Sequence, residues 1–393
     1  VSSAAHRLCP GYHGHSGRSR AGERLLTVTT IRVHLPGDAA DRSYDILCGS
    51  GVVSAIGPLL YAAGVRRAVV VADAAVAASH GKSVAASAAA AGVDVHMLTI
   101  PAGESSKSIR VLGELWDDLA RLAVDRGTHV VAVGGGVVGD LAGFAAATFA
   151  RGLPVWHVPT TLVAQVDSAI GGKTGINLAG GKNLVGCFWQ PRGVLADIDT
   201  LGTLPEREFK SGLAEVVKYG VILDPEFFAW LEDHAASLLA RQGPELAYAV
   251  ERSAALKAGV VEQDERETSG LRAALNYGHT FAHAYETATG YGTLLHGEAV
   301  AIGMGRAARL AAALGRIESE VVGRQDRLLA RLELPISPAG LGPLESDRLI
   351  EIMGRDKKTT GGRLRFVLPT RIGHVELVDG VDKALVHQVL RAP

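Results

Sequence analysis

Three histidines in one short stretch of the chain have a spacing that suits a metal ion. His279 and His283 are four residues apart on a predicted helix, so both side chains project from one face. His296 follows a loop that contains Gly290 and Gly292, and glycine allows the chain to fold back toward that face. Three protein ligands and an open position are typical of catalytic zinc, so we favour a metal site over a pair of hydrogen-bonded core histidines.

A carboxylate would complete such a site, and Glu215, Glu286 and Glu298 are the candidates. Glu215 lies three residues before Lys218 on a predicted helix, a spacing that also fits a solvated ion pair. The residues around Glu215, 213–217, are otherwise apolar. They indicate a partly buried helix, which makes the solvated pair the weaker interpretation.

A second chemical signal is a glycine-rich turn between a predicted strand and a predicted helix. The apolar run 130–134 leads into Gly134, Gly135 and Gly136. Glycine lets the backbone approach a pyrophosphate, and a helix N-terminus supplies N–H donors and a positive dipole. The spacing is not G-x-G-x-x-G, so close packing of strand against helix remains an alternative.

Two lysines follow pairs of glycines a few residues later. Lys173 comes after Gly171-Gly172, and Lys182 comes after Gly180-Gly181. Backbone and lysine together suit an anion, whereas a solvated surface would not require the glycines. Further basic residues accompany the motifs and would suit a substrate that carries phosphate and carboxylate groups: Lys257, Arg272, Lys357 and Lys358.

The elements that must position these residues fall into two parts. From 27 to 203, β-branched runs alternate with Ala-rich stretches, which predicts βαβ units and a parallel sheet. The predicted strands are 67–73, 93–100, 129–134 and 153–158, and one predicted helix is 105–122. From 204 onward the pattern is helical, with predicted helices at 209–221, 225–241, 244–261, 271–289, 297–314 and 318–332. A late hairpin is predicted at 364–369 and 374–378.

We therefore expect an α/β nucleotide-binding, Rossmann-like domain at 23–203 and a mainly α-helical metal- and substrate-binding domain at 204–393. The cleft between them is the expected site. Residues 1–22 are poor in acids and contain Arg and Ser, as transit peptides do, but their Pro and Gly residues favour a disordered extension.

Composition excludes several other classes of protein. The 393 residues carry 40 Lys+Arg and 41 Asp+Glu, so no basic excess supports binding to nucleic acid or to a membrane surface. The longest uncharged stretch, 46–65, contains glycines and a proline and is interpreted as strand, turn and helix start. Three scattered cysteines support no disulfide framework, so we expect a soluble cytoplasmic protein. Glycine is abundant, at 48 residues.

In their order along the chain, these motifs resemble those of the 3-dehydroquinate synthase family. The resemblance extends from about residue 30 to the C-terminus and rests on 134–140, 159–175, 181–183, 212–220, 275–283, 295–298 and 355–358. It implies a lyase of the shikimate pathway that converts 3-deoxy-D-arabino-heptulosonate 7-phosphate to 3-dehydroquinate and phosphate. The implied steps are transient oxidation by NAD, elimination of phosphate, reduction, ring opening and aldol closure, with Zn²⁺, or alternatively Co²⁺, holding the substrate hydroxyls.

The resemblance also implies roles for individual residues. The metal ligands would be Glu215, His279 and His296, while His283 would contact substrate. The other substrate-binding positions would be Asp167, Lys173, Asn183, Lys218, Lys257, Arg272, Asn276 and Lys358, with Lys357 a close alternative to the last. The NAD contacts would be Asp73, Glu104, Lys107, Gly135, Gly136, Val137, Asp140, Thr160, Thr161, Lys182, Asn183, Thr203 and Glu208.

Arg151 resembles an arginine that reaches the phosphate pocket of a partner subunit, which implies a homodimer. One residue departs from the family pattern: Ala75 stands where an asparagine is frequent, two positions after Asp73. This departure puts one hydrogen bond to the adenosine ribose in doubt.

Three other functions remain open on the sequence. Sister sugar-phosphate cyclases, which make aminocyclitol precursors, share the metal and NAD motifs, but they generally lack the residues that hold a substrate carboxylate. A metal-dependent polyol dehydrogenase would accumulate NADH, whereas a synthase would not. A catalytically inactive binding protein is disfavoured because every implied ligand is present.

Overall fold

The first half of the chain forms a mostly parallel, seven-stranded sheet. The computed structural model describes residues 28–35, 41–290, 292–341, 344–355 and 364–391. The strand order is β1-β2-β9-β6-β5-β3-β4, and every neighbouring pair is parallel except β1 and β2. These strands are β1 (Thr29–Val33), β2 (Tyr44–Gly49), β3 (Arg67–Asp73), β4 (Asp94–Ile100), β5 (His129–Gly134), β6 (Val155–Pro159) and β9 (Gly193–Asp197). The expected α/β part is confirmed.

Helices cover both faces of this sheet, which explains why its central strands are apolar throughout. Val69 and Val71 of β3 pack toward α3 (Ile109–Arg121) and α4 (Gly136–Thr148). Ala68 and Val70 pack toward the opposite layer, which contains α1 (Ile56–Ala62) and α2 (Lys82–Ala90). A strand buried on both faces has no polar alternation, as expected for a parallel sheet.

The chain reverses its direction of winding at β3. β4 lies on one side of β3 and β5 lies on the other, so the carboxyl ends of β3 and β5 flank a crevice. In open α/β sheets, ligands bind at such a switch point. Asp73 and Gly134 are the last residues of these two strands.

A separate hairpin between β6 and β9 was not predicted. It consists of β7 (Lys173–Leu178) and β8 (Gly181–Phe188), paired antiparallel. β7 packs against α4, where the Cγ2 atom of Thr174 is so close to Gly143 that a Cβ there would lie 2.5 Å from it. The two glycine–lysine motifs therefore lie at the beginnings of the two hairpin strands.

The second half is mainly helical, as expected. Its elements are α5 (Glu206–Leu223), α6 (Pro225–Leu239), α7 (Gly243–Gln263), α8 (His279–Thr289), α9 (His296–Ala313), α10 (Ser319–Arg331), α11 (Ser346–Arg355), β10 (Arg365–Arg371), β11 (His374–Asp379) and α12 (Lys383–Arg391). The hairpin β10–β11 was predicted, whereas α11 and α12 were not. None of the described helices combines the length and the apolar character that a bilayer crossing requires.

The predicted continuous helix 271–289 is wrong. A short 3-10 helix covers Leu271–Asn276, and α8 starts only at His279. Between them Gly278 adopts the left-handed conformation, with φ of 78°. This conformation is open to glycine at little cost and interrupts a helix.

The two halves share a buried core. Val33, Tyr44 and Ile46 of the first two strands belong to the same apolar cluster as Leu213 of α5 and Val250 of α7. The boundary at residues 203 and 204 stays a prediction, since the side chains on its two sides pack together. The expected extension 1–22 lies outside the described residues.

Candidate active site

Three helices bring Glu215, His279 and His296 to one point. Their nearest ligand atoms all lie within 4.8 Å of one another. The Nε2 atom of His279 is 3.7 Å from Glu215 Oε1, and the Nε2 atom of His296 is 3.4 Å from the same oxygen. Two imidazoles and a carboxylate are a frequent ligand set of catalytic zinc.

Close packing of α8 against α9 makes this meeting possible. A Cβ on Gly303 of α9 would lie 2.2 Å from the carbonyl oxygen of Gly278, and one on Gly278 would lie 2.8 Å from the backbone nitrogen of Met304. Only glycine permits both approaches. His279 and His296, each the first residue of its helix, are thus brought to one end of the pair.

The hydrogen bonds and charges around the triad suit a metal. The imidazole of His279 contacts the Tyr277 carbonyl oxygen through Nδ1 at 3.0 Å, which leaves Nε2 facing Glu215. Burial lowers the pKa of His279 well below its usual value, so the ring is neutral, as coordination requires. Within the described part of the chain, neither oxygen of the buried Glu215 carboxylate accepts a hydrogen bond of normal geometry.

The three candidate carboxylates have different positions. Glu215 belongs to the triad. Its side chain and that of its partner Lys218 are almost wholly buried, so the interpretation of this pair as a solvated ion pair is wrong. Glu286 lies behind His296, with its Oε1 atom 3.5 Å from Nδ1 of that ring. Glu298 accepts a hydrogen bond from the Leu295 backbone N–H at the start of α9.

Opposite charges keep Glu215 and His296 ionised in the metal-free protein. Burial acts to raise the pKa of Glu215, but Lys218 and His296 outweigh it and lower the value to about 2. Burial acts to lower the pKa of His296, but the carboxylates of Glu215 and Glu286 raise it to about 10. His283 is close but outside the triad, with its ring centroid 5.6 Å from that of His279.

Asp167 connects the sheet to the helical part beside this triad. It lies in a π-helical turn, Ala164–Ser168, and accepts a hydrogen bond from the hydroxyl of Tyr219 at 2.8 Å. The ammonium of Lys257 also contacts its Oδ1 atom. Burial acts to raise the pKa of Asp167, but the charges of Lys257 and Lys218 outweigh it and hold that pKa well below its usual range.

A second group of cations lies around residues 264–272. The Arg272 side chain is buried, and one of its terminal nitrogens donates to the Glu265 carbonyl oxygen at 2.6 Å. Lys173 forms an ion pair with Glu267, whose Oε1 atom is also 3.8 Å from Arg272 Nε. Asn276, half-buried, ends the 3-10 helix just before His279. Lys357 and Lys358 lie outside the described residues.

The crevice at β3 and β5 has the shape of a backbone cradle. Gly135 precedes α4 and has no side chain to cap the first-turn N–H groups of Gly136 and Val137. A Cβ on Gly135 would lie 3.0 Å from Thr161 Cγ2, and one on Gly136 would lie 2.8 Å from Ser168 Oγ. A side chain at either position would crowd the turn where a ligand would approach the helix N-terminus.

Asp73 and Ala75 lie at the same edge of the sheet. The Oδ1 atom of Asp73 accepts hydrogen bonds from the backbone of Ala75 and Val76, at 2.9 and 3.2 Å. Its other oxygen would be 3.5 Å from a Cβ at Gly134. Thr160, which is buried, donates its N–H to the Gly134 carbonyl oxygen.

The ammonium of Lys107 contacts two other residues that are expected to bind the nucleotide. Its Nζ atom lies 2.5 Å from both Asp140 Oδ2 and Asn183 Oδ1. Asn177 completes the group by donating to Glu104 Oε1 and accepting from the Asn183 backbone. Lys182 is 3.7 Å from Glu286, so the hairpin reaches the helices that hold the triad.

Three expected residues lie away from these groups. Thr203 and Glu208 are at the junction of the two halves, where Thr203 Oγ1 is 2.8 Å from Nε2 of His80. Arg151 is exposed after α4, in a turn where it and Ala150 have φ of 69° and 49°.

Sequence reasoning missed Asn177, Tyr219 and Glu267. Asn177 lies in strand β7, which was not predicted, and Tyr219 follows Lys218 within an apolar helix, so nothing in the sequence marked either residue as part of a site. The acidic run 264–267 at the end of a predicted helix was the signal available for Glu267.

Known proteins share this architecture and this chain's motifs. Residues 97–211 match the family model for the 3-dehydroquinate synthase N-terminal domain, and 212–359 match that for its C-terminal domain. A 3-dehydroquinate synthase of Rhodopirellula baltica is 49% identical over 353 residues, covering 88% of this chain and 93% of that protein. One from Geobacter metallireducens is 50% identical over 339 residues, covering 86% and 93%.

Two solved structures of related cyclases are similar in fold. A 2-epi-5-epi-valiolone synthase from Streptomyces hygroscopicus subsp. jinggangensis, with NAD⁺ and Zn²⁺ bound, has a TM-score of 0.81 and 30% identity, covering 92% of this chain and 98% of that one. A 2-deoxy-scyllo-inosose synthase with carbaglucose-6-phosphate, NAD⁺ and Co²⁺ has a TM-score of 0.82 and 29% identity, covering 92% and 99%.

The fold, together with the similarity to these two solved structures, places the chain in the class of sugar-phosphate cyclases. Within that class, sequence identity identifies the family. The two 3-dehydroquinate synthases are 49% and 50% identical to this chain, whereas the two solved cyclases are 30% and 29% identical. The chain belongs to the 3-dehydroquinate synthase family. A protein of Sinorhizobium meliloti described as a probable glycerol dehydrogenase, at 17% identity and a TM-score of 0.55, shares the fold alone.

The Asp167 contacts predict a pH-dependent contribution to stability. Asp167→Asn leaves Lys257 buried without its carboxylate, so we expect the free energy of unfolding to fall by about 3–5 kcal/mol at pH 7. Because the folded pKa is lowered, this contribution is fully present above the usual value of 3.8 and is lost as the pH falls through the folded pKa. Urea unfolding of variant and parent measures the difference, which should shrink below about pH 4.

Glu114→Gln serves as the control, since it removes an exposed pair with Arg110. That change should alter the unfolding free energy by no more than about 0.5 kcal/mol. A difference for Asp167→Asn that does not vary with pH would contradict the assignment of its stabilising effect to the carboxylate charge.

Proposed function

We propose that this chain is an NAD- and metal-dependent 3-dehydroquinate synthase that converts 3-deoxy-D-arabino-heptulosonate 7-phosphate to 3-dehydroquinate and phosphate. The observation that carries the proposal is the meeting of the Glu215–His279–His296 triad with the buried Lys218 at one point of the fold. The family membership supports the substrate. The proposed cofactors follow from the fit of this chain's own residues.

The triad would hold the divalent metal, with Zn²⁺ favoured and Co²⁺ possible by ligand chemistry. A bound metal would polarise substrate hydroxyl oxygens. Behind the ligands, Glu286 orients the His296 ring through Nδ1, and the Tyr277 carbonyl orients His279. These contacts keep both Nε2 atoms directed at Glu215.

The cradle at 134–137 would hold the pyrophosphate of NAD at the N-terminus of α4. The neighbouring residues Asp73, Glu104, Lys107, Asp140, Thr160, Thr161, Lys182, Asn183, Thr203 and Glu208 are the proposed further contacts. Bound NAD would accept a hydride and return it within one turnover. Ala75 supplies a backbone N–H to Asp73, which keeps that carboxylate in place without an asparagine side chain.

The cations and polar groups around the triad would bind the substrate. Burial acts to lower the pKa of Lys218, but Glu215 and Asp167 outweigh it and raise that pKa, so its ammonium stays charged for an anionic or hydroxyl oxygen. Burial and the neighbouring cations Lys218 and Arg272 lower the pKa of Lys257, which suits a group that exchanges a proton at Nζ. Asp167 holds this Nζ in position.

The carboxylate and phosphate groups of the substrate would bind to the remaining basic and amide side chains. These are Lys173, Asn183, Arg272, Asn276, His283 and Lys358, with Lys357 as the alternative to Lys358. Arg272 suits a carboxylate because its guanidinium offers a planar fork of N–H donors.

Turnover measurements test the proposal. With NAD and zinc present, the purified protein should release phosphate from the heptulosonate without net accumulation of NADH. It should not release phosphate from sedoheptulose 7-phosphate or glucose 6-phosphate. Glu215→Gln should lower kcat by more than about 100-fold, since a metal ligand is lost. Release from the other sugars, or net NADH, would instead support a sister cyclase or a dehydrogenase.

Metal binding should release a proton. The raised pKa of His296, about 10, means that the ring carries a proton at pH 7 in the metal-free protein. Zinc must displace it, so we expect release of about one proton and a tenfold gain in apparent affinity per pH unit from pH 7 to 9. Calorimetry in buffers with different ionisation enthalpies measures this. Glu286→Gln removes one carboxylate beside the His296 ring and should reduce the number of protons released at pH 9. Zinc binding at pH 7 without proton release would refute the assignment of a protonated His296 in the metal-free protein.

We infer further that the enzyme works as a homodimer in which Arg151 reaches the partner's phosphate pocket. Support comes from its backbone: two successive non-glycine residues, Ala150 and Arg151, are held in the left-handed region. Such conformations cost about 1–3 kcal/mol each and cluster at functional sites. The side chain is exposed at the end of α4 that is remote from the glycine cradle.

Subunit mixing tests the shared site. Arg151→Ala and Lys173→Ala subunits, each inactive alone, should recover about a quarter of parental activity after random reassociation, because half of the dimers would contain one intact site. Mixing Lys173→Ala with Lys218→Ala is the control and should recover nothing, since both residues serve their own subunit. Absence of recovery in the first mixture would refute the role of Arg151.

A further inference from the structure

Helix α5 presents a row of functional groups along one face. Arg207, Ser211 and Glu215 are spaced four residues apart, so their side chains project in nearly the same direction on successive turns. Glu215 belongs to the metal triad. The other two contact the segment 293–298, which carries the ligand His296.

Arg207 forms hydrogen bonds with this segment, both to the Glu298 side chain and to the backbone. Its Nε and Nη2 atoms donate to the two carboxylate oxygens of Glu298 at 2.7 and 2.8 Å. Nη2 also donates to the Thr293 carbonyl oxygen at 2.8 Å. The same Glu298 carboxylate accepts the Leu295 N–H at 2.8 Å, so it joins Arg207 to the residue immediately before His296.

Ser211 holds the segment one turn further along α5. Its hydroxyl accepts the Gly297 N–H at 3.0 Å. The backbones are so close that a Cβ on Gly297 would lie 1.8 Å from the Ser211 carbonyl oxygen. The residues on either side of His296 are thus tied to the helix that carries Glu215.

The loop before His296 needs such a restraint. Gly290 and Gly292 have φ of 79° and 103°, conformations that glycine adopts without strain and that do not by themselves restrict the chain. The contacts from α5 therefore fix the position of His296 relative to Glu215 more directly than these glycines do. A metal ligand displaced by even 1 Å binds poorly.

We propose that Arg207 and Glu298 are positioning residues that set His296 at its distance from Glu215. The inference rests on the proposed metal site and adds residues that lie outside it. The Arg207 side chain is 58% exposed, and exposed ion pairs contribute at most about 1 kcal/mol to folding. The pair therefore acts on the site more than on global stability.

Zinc affinity tests the proposal, measured by competition with a chromophoric chelator in the full-length protein. Arg207→Gln should weaken zinc binding by about 10- to 100-fold, as changes behind metal ligands do. Arg207→Lys, which retains the charge but cannot form both bonds to Glu298, should give an intermediate loss. Thermal unfolding of the metal-free variants measures the effect on folding separately.

Arg324→Gln is the matched control. Arg324 also forms a two-pronged ion pair, with Glu232, and connects α10 to α6 away from the triad. Loss of the Arg324 ion pair should leave zinc affinity within about twofold of the parent. It should change the thermal stability of the metal-free protein about as much as Arg207→Gln does. Equal zinc affinity in Arg207→Gln and the parent, or equal losses in both arginine variants, would overturn the inference. Failure of the parent itself to bind zinc would instead overturn the proposed metal site.

Discussion

A carboxylate without exposed surface, Glu215, imposes the main constraint on the helical half. A buried charge is costly unless it is paired, and Lys218 one turn away on α5 supplies the first partner. The two histidines come from helices that begin beside it. The glycines at 278, 297 and 303 allow α8 and α9 to come this close to each other and to α5. The architecture of the second half thus follows from surrounding one carboxylate with matched groups.

The same balancing of charges extends across the junction of the two halves. Lys257 pairs with Asp167, whose charge also acts on Lys218, and Lys218 pairs with Glu215. On the far side, Glu286 lies between His296 and Lys182 of the β7–β8 hairpin. Charges of alternating sign therefore follow one another from Lys257 to Lys182. A ligand or metal that enters this row must replace existing partners, which explains why metal binding is expected to be linked to proton release.

Much of this arrangement was accessible from the sequence, and the failures have physical reasons. Periodicity located the central strands and the long helices because burial there is one-sided or complete. It missed the break at Gly278, where one glycine conformation stops a helix whose side-chain pattern continues. It missed the β7–β8 hairpin, whose strands are interrupted by Gly175 and Gly186. Asn177, Tyr219 and Glu267 were missed because each has a partner that is distant in the chain, namely Glu104, Asp167 and Lys173.

The residue types and their spacing determined that the chain has a strand–glycine–helix cradle, paired histidines and grouped lysines, and the motif order determined the family. Those properties are local, since they depend on neighbours within a few turns or strands. Residue spacing left three glutamates open and the resemblance implied Glu215; the tertiary structure placed Glu215 with the histidines and Glu286 behind His296. It also showed that Arg207 and Ser211 tie His296 to the helix of Glu215. Contacts between residues some 80 to 90 positions apart depend on how helices pack, and packing geometry cannot be derived from the spacing of residues along one helix.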